Sequence, residues 1–184
     1  MIKDFDLLQR ANNDYTTIDL EHAEELAYRE LIDSIRYISL GDECGVMGNI
    51  ANIITYKGRF YIQEEQFDRV FIYDDTGRCL KKIDNKGRGP GEYLRIESID
   101  INTEKEELML VDGMSDKLFF YDLGGNFKSI HSIRYFQTEN TLCLRDSVFL
   151  HISAPSQNFG NEGLYGYALV LSKGNENFLK GYRY

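Results

Sequence analysis

The residues best suited to meet a ligand lie in one run, Gly87-Arg88-Gly89-Pro90-Gly91-Glu92-Tyr93. Arg88 can donate to an anion or pair with Glu92 across the loop, and Tyr93 can stack or hydrogen-bond. Three glycines within five residues let the backbone adopt strained angles or approach another group closely. Pro90 fixes one φ and removes a donor. The run lacks the Gly-Lys-Ser/Thr of a phosphate loop, and no helical pattern follows it. Two readings stay open. The run is a connector between two sheets, or Arg88, Glu92 and Tyr93 form a ligand-binding surface.

Five acids, Asp74, Asp75, Asp112, Asp116 and Asp122, first suggest calcium ligands. Their spacing lacks the Asp-x-Asp-x-Asp-Gly…Glu order of a calcium loop. Turn chemistry accounts for most of them, because Asp accepts hydrogen bonds from the backbone two residues on. His22, His131 and His151 are isolated, so a zinc site would need distant parts of the chain to converge. No Gly-x-Ser-x-Gly surrounds any serine or cysteine. No catalytic residue, resident metal or cofactor is therefore expected. Cys44, Cys79 and Cys143 are far apart and form no CxxC. At most one disulfide is possible, and Cys79, inside an expected strand, reads by default as a small buried hydrophobe.

The elements that must position these residues are legible as a repeat. Phe67 to Gly77 and Ser115 to Gly125 match in order, with Asp68 and Asp116, Phe71 and Phe119, Tyr73 and Tyr121, Asp74 and Asp122, and Gly77 and Gly125 each offset by 48 (121 − 73). A fixed period of that size marks a repeat architecture. Each copy reads as four short antiparallel strands: 50–56, 60–62, 69–73 and 78–83, then 98–101, 107–111, 117–121 and 127–130. Asp74 to Gly77 and Asp122 to Gly125 are hairpin turns, with the glycine where φ must be positive. Aromatic pairs two apart, such as Phe71 with Tyr73, share one strand face. Core packing between sheets or stacking on sugars both follow from that placement. A weaker third copy uses 147–153, 165–174 and 178–184, with an insertion at Ala154 to Gly163.

Ahead of the repeats, residues 1–18 read as an arm. Asp19 caps a short helix from Leu20, whose Ala23, Leu26, Ala27 and Leu31 make one apolar face. Ile35 to Leu40 reads as a strand and Gly41 to Gly48 as a loop. The organisation is thus an arm with a helix over 1–33 and a partial propeller over 34–184, with blades at about 50–92, 93–135 and 136–184. From Ile50 onward there are about 2.8 periods, whereas a propeller ring closes with about four to eight blades. The chain is accordingly expected to be the first part of a longer protein, with an open arc or a ring completed by two chains as alternatives. An open arc exposes a blade face and strand edges through which it can self-associate.

Composition narrows the classes further. A net charge of −9 over 184 residues shows no basic stripe and disfavours nucleic acid and anionic membranes. No apolar run reaches the length of a membrane span. The first ten residues lack the charged and apolar regions of a signal peptide.

Gly87 to Tyr93, then Ile96 to Ile101, Leu110-Val-Asp112, Lys117-Leu118 and Tyr121-Asp-x-x-Gly125 together resemble the NHL-type repeat of six-bladed β-propellers. More closely, the chain is similar to the six-bladed propeller proteins of gut Bacteroidetes, many of them predicted lipoproteins. There a segment like Ile18-Asp-Leu20 and Leu31 to Leu40 precedes the first blade. The likeness covers roughly residues 16–135. It implies an all-β fold of propeller-like, four-stranded antiparallel blades in an incomplete ring. It also implies a periplasmic or cell-surface location and a non-enzymatic binding or scaffold module with a protein or glycan partner. The rival readings are a propeller enzyme of lyase or lactonase type with a channel metal, and a truncated product without a role of its own.

Overall fold

A computed structural model describes residues 32–133, 140–145, 148–152, 167–174 and 177–183. The helix expected after Asp19 and the arm before it lie outside the described residues. Twelve strands are present among those described. β1 (Ile50–Tyr56), β2 (Arg59–Glu64), β3 (Arg69–Asp74) and β4 (Cys79–Ile83) form the first sheet. β5 (Ser98–Asn102), β6 (Glu107–Asp112), β7 (Lys117–Asp122) and β8 (Phe127–Ser132) form the second. β9 (Asn140–Arg145), β10 (Val148–Ile152), β11 (Tyr167–Lys173) and β12 (Asn177–Arg183) form the third. Each sheet is an antiparallel meander with strands in chain order, so the fold is all-β with propeller-like repeats, and the ring is not closed.

The repeat in sequence is a repeat in register. Tyr61 pairs with Ile72 and Met109 with Phe120, at matching positions. A bulge falls between Ile72 and Tyr73 in one sheet and between Phe120 and Tyr121 in the next. Tyr73 and Tyr121 are both buried. Asp68 and Asp116 share a left-handed backbone, with φ of 56° and 53°. Asp tolerates that region because its short side chain hydrogen-bonds locally.

Burial between sheets holds the stack. Tyr61, Val70, Ile72 and Ile83 of the first sheet interdigitate with Ile99, Ile101, Leu108, Leu110, Phe119 and Tyr121 of the second. The opposite face of the second sheet, with Met109, Val111, Leu118 and Phe120, packs on Phe149 and Val170 of the third. The far face of the first sheet, with Ile62, Phe71 and Tyr73, is covered by Cys44 and Met47 from the segment before β1. Phe71, Tyr73, Phe119 and Tyr121 are therefore core residues.

Residues 32–49 differ from the sequence reading. Ile35 to Leu40 forms no strand. Its alternation is β-like, but the nearest backbone is the β3–β4 turn, which offers no open ladder. Gly41 N–H donates to Gly77 O at 2.8 Å, the Tyr73 hydroxyl donates to Gly41 O at 3.2 Å, and Arg36 donates to Asp75 O. A Cβ on Gly77 would lie 2.1 Å from Ser39 O, so the segment runs against that turn at a distance only glycine allows. Cys79 is also more than a small hydrophobe. It is disulfide-bonded to Cys44, with 6.0 Å between Cα atoms, and this bond locks the segment onto the first sheet as a cap. β9 is the other departure. Its Asn140-Thr-Leu-Cys-Leu-Arg145 lies ahead of the third copy as the sequence reads it, and its pairing with β10 reveals it.

Replacing Cys44 and Cys79 by Ser should lower stability by about 3–4 kcal/mol from the lost loop constraint, with the bridged residues 35 apart. Urea unfolding of the double variant checks this, and an unchanged midpoint would show the cap held by packing alone. Gly125→Ala should cost at least about 1 kcal/mol, because φ there is 80° and the new Cβ would lie 2.9 Å from Ile72 and Lys81 side-chain atoms. The melting temperature reads that out.

Candidate functional site

The Gly87–Tyr93 run lies between β4 and β5 and is folded from its own backbone. Gly89-Pro90-Gly91-Glu92 is a β-turn with Pro90 second and Gly91 third at φ 82°, closed by Glu92 N–H donating to Gly89 O at 3.1 Å. That is the residue order a type II turn requires. Lys86 and Tyr93 bridge in parallel, with Gly87 N–H donating to Tyr93 O at 2.9 Å and Tyr93 N–H to Asn85 O at 3.1 Å. The Glu92 carboxylate turns back and accepts Gly89 N–H at 2.7 Å. It does not pair with Arg88, whose guanidinium is exposed.

Tyr93 points the other way. It is fully buried. Its hydroxyl donates to Asp68 O at 2.8 Å and accepts Asn85 N–H at 3.1 Å, and its ring meets Phe119 edge-on at 6.0 Å. Burial pushes its phenol far above the usual range, with the Asn85 amide opposing. Arg88, Glu92 and Tyr93 are thus neighbours in sequence with three different surroundings: solvent, the loop's own amides and the core.

Around Tyr93 two buried acids fasten the sheets together. Asp68 accepts Ile96 N–H at 3.1 Å and an ion pair from Lys86. Asp112 accepts Leu94 N–H at 2.7 Å, Met114 N–H at 3.0 Å, Ser115 N–H at 3.1 Å and the Ser115 hydroxyl at 2.7 Å. Glu64, at the matching position of the first sheet, accepts Gln66 N–H at 2.9 Å and Phe67 N–H at 3.2 Å. Gln63 donates to Ile96 O at 3.1 Å. These bonds tie the turns and the connector to one another and to the sheets. Leaving any partner buried and unmade would cost about 1–3 kcal/mol.

Asp74 and Asp122 do the turn chemistry their spacing implies. Asp74 accepts Thr76 N–H at 3.0 Å, Arg78 N–H at 3.1 Å and the Thr76 hydroxyl at 2.6 Å. Asp122 accepts Gly124 and Asn126 N–H, both at 2.9 Å. The Thr76 hydroxyl at Asp74 and the Asn126 amides at Asp122 hold these carboxyls below the ordinary range. Asp116, by contrast, is raised by burial and by the neighbouring Asp112. No group of three or more metal-type ligands converges among the described residues.

His22 lies outside the described residues. His131 packs on Phe120 at 4.8 Å, and burial lowers its pKa. His151 is buried between two hydroxyls, with Thr141 Oγ1 2.9 Å from Nδ1 and Ser172 Oγ 2.8 Å from Nε2. Sequence reading saw an isolated histidine here, because its partners sit on two other strands. A serine beside a histidine suggests a nucleophile, but burial holds this imidazole's pKa down at about 3, which makes it too weak a base to activate a hydroxyl near neutral pH. Cys143 is partly buried, its thiol pushed up to about 11 by burial and next by Asp100, which accepts its N–H at 2.6 Å. The described surface also holds a shallow cleft of about 290 Å³ between Arg36, Tyr37, Ile38 and Ser39 of the cap and Asp75 and Thr76 of the β3–β4 turn. No spacing in the sequence signals it, since its two sides meet only through the disulfide-held cap.

His151 binds its proton only near pH 3 when folded but near 6.5 when unfolded. Its share of stability is therefore intact above pH 6.5 and lost progressively as pH falls toward 3, by on the order of a few kcal/mol. His151→Gln, which keeps a hydrogen-bonding group without a titrating charge, should flatten that part of the stability–pH curve. Urea midpoints taken across the window check it, and parallel curves for the two proteins would refute it.

Solved structures with similar folds place the sheets in context. A Bacteroides fragilis NCTC 9343 protein named for its expected export superimposes with a TM-score of 0.71 at 19% identity, over 82% of this chain and 42% of that one. The structure of U3-55K matches with a TM-score of 0.52 at 11% identity, over 73% and 39% of the two chains. The WD40 repeats of RRP9 match with a TM-score of 0.50 at 10% identity, over 73% and 38%. The chain thus spans less than half the length of each of these proteins, and at such identities the likeness is one of fold alone. No curated protein matches the sequence. The family model described as Domain of unknown function (DUF4934) matches residues 15–182, nearly the whole chain, and the protein belongs to that family.

Proposed function

We propose that this chain is part of a non-enzymatic binding or scaffold module of the cell envelope, built as a six-bladed propeller of the NHL type seen in Bacteroidetes, with a protein or a glycan as its partner. The observation that carries the reading is the Cys44–Cys79 disulfide, which closes the cap over the first sheet. Structural disulfides of this kind form and persist in oxidising compartments outside the cytoplasm. The likeness to a Bacteroides fragilis protein named for export points the same way. The 48-residue period and stacked four-stranded sheets support the propeller architecture.

Partner contact falls to Arg88. It is the exposed cation of a loop that Glu92 and Tyr93 hold rigid from behind, so its binding loses little conformational freedom. Asp74, Asp112 and Asp122 are engaged in turns and joints, which favours binding over turnover.

Two measurements test this. In fractionated producing cells the protein should be recovered with the envelope, with no thiol of Cys44 or Cys79 reacting before reduction. Cytosolic recovery with those thiols reactive would sink the proposal. On an array of neutral and acidic oligosaccharides, and against purified envelope proteins, Arg88→Glu should weaken binding by about tenfold or more at an unchanged melting temperature. Release of a cleaved product from any of these oligosaccharides would mark an enzyme instead.

A further inference from the structure

The segment before β1 has the contacts of the end of a repeat. In the second sheet, a Cβ on Gly125 would meet Lys81 and Ile83 of β4, the outermost strand of the sheet before it. In the first sheet the equivalent Gly77 meets Ile38 and Ser39 of the cap. Tyr93 and Ile96, from the connector that follows β4, share a cluster with Phe119 and Tyr121. Cys44 and Met47, each 49 positions earlier (93 − 44 and 96 − 47), pack with Phe71 and Tyr73. Residues 35–49 thus stand toward the first sheet as β4 and its connector stand toward the second. One thing differs. β4 is laddered to β3, whereas Ile35 to Leu40 has no ladder partner among the described residues, with Ile35 69% and Tyr37 92% exposed.

We propose that Ile35–Leu40 becomes the outermost strand of a further sheet, whose other three strands come from a later repeat of the same protein. This joint presupposes the propeller reading above and adds how its ring shuts. The occupant follows from the repeat itself. In each described sheet the fourth strand pairs antiparallel with the third, so the partner of Ile35–Leu40 is a third strand of the β3 and β7 kind. Residues 1–31 are set aside by pattern, since Ala23, Leu26, Ala27 and Leu31 are spaced for a helix and do not alternate. An added strand binds through main-chain hydrogen bonds, with alternate side chains giving register. Between two ordinary sheets of the stack, side-chain packing does most of the holding. At this joint a backbone ladder would hold the strand on one side, and the Cys44–Cys79 bond ties the same segment to the first sheet on the other.

Photo-crosslinking on the protein purified from the cells that make it, with Tyr37→p-benzoylphenylalanine and peptide mass spectrometry, reads the outcome. Light should join position 37 to a peptide from beyond residue 184, in a species of single-chain mass. In the unsubstituted protein, alternate amides of Ile35–Leu40 should exchange with deuterium about a hundredfold or more slowly than in an unfolded chain, as in a strand laddered on one side. A cross-link to residues 1–31, a cross-link to a second copy, no cross-link, or exchange at the unfolded rate would each overturn the proposal. If further repeats are present but position 37 links elsewhere, the propeller reading survives it. A protein with no chain beyond Tyr184 would sink both.

Discussion

Apolar burial between neighbouring sheets is the constraint on which the whole molecule rests. A four-stranded meander has two faces, and its own ladder bonds bury neither. The second sheet is stable because Leu108, Leu110, Phe119 and Tyr121 meet one neighbour and Met109, Val111, Leu118 and Phe120 meet the other. The largest fully buried side chains include Tyr61, Tyr73, Tyr93 and Tyr121. Tyrosine suits the position because its ring fills the space between sheets while its hydroxyl reaches a polar group at the margin. Tyr61 and Tyr73 do so, donating to Leu123 O at 3.0 Å and Gly41 O at 3.2 Å. Successive units that touch only their neighbours make stability a sum of intrinsic and interface terms.

The connectors turn that stack into one body. Gly87 to Tyr93 had two readings, and the structure gives its members separate work. The backbone and Glu92 build a closed turn, Tyr93 anchors it in the core, and Arg88 is left at the surface. Asp68 and Asp112, each buried, carry bonds from the connector to the first and second sheets. A buried carboxylate is tolerated only when its oxygens are saturated, and here main-chain amides supply most of the donors. Positioning of Arg88 thus depends on residues that never reach solvent.

Much of the fold was legible because the repeat puts the same residue type under the same constraint twice. Gly77 and Gly125 both have positive φ, and Asp74 and Asp122 both tie the turn that precedes them. What escaped reading was whatever one copy alone contains. Ile35 to Leu40 alternates like a strand but has no edge to join, because strand formation needs a partner and no pattern reports one. The Cys44–Cys79 pairing could not be chosen from three spaced cysteines. Asp68 was visible as a repeated residue but not as a joint, since its partners lie 18 and 28 positions away. The histidine between Thr141 and Ser172 likewise draws its partners from separate strands.

The cap gives the stack a direction. Residues 41–79 contain both halves of the disulfide and the glycine turn against which the segment rests, so they can close upon themselves before any later strand exists. Made from its amino end, the polypeptide would complete one sealed unit first, and that unit then exposes a finished surface on which the following meander condenses. Assembly thereby becomes vectorial, with each added layer templated by the one before it.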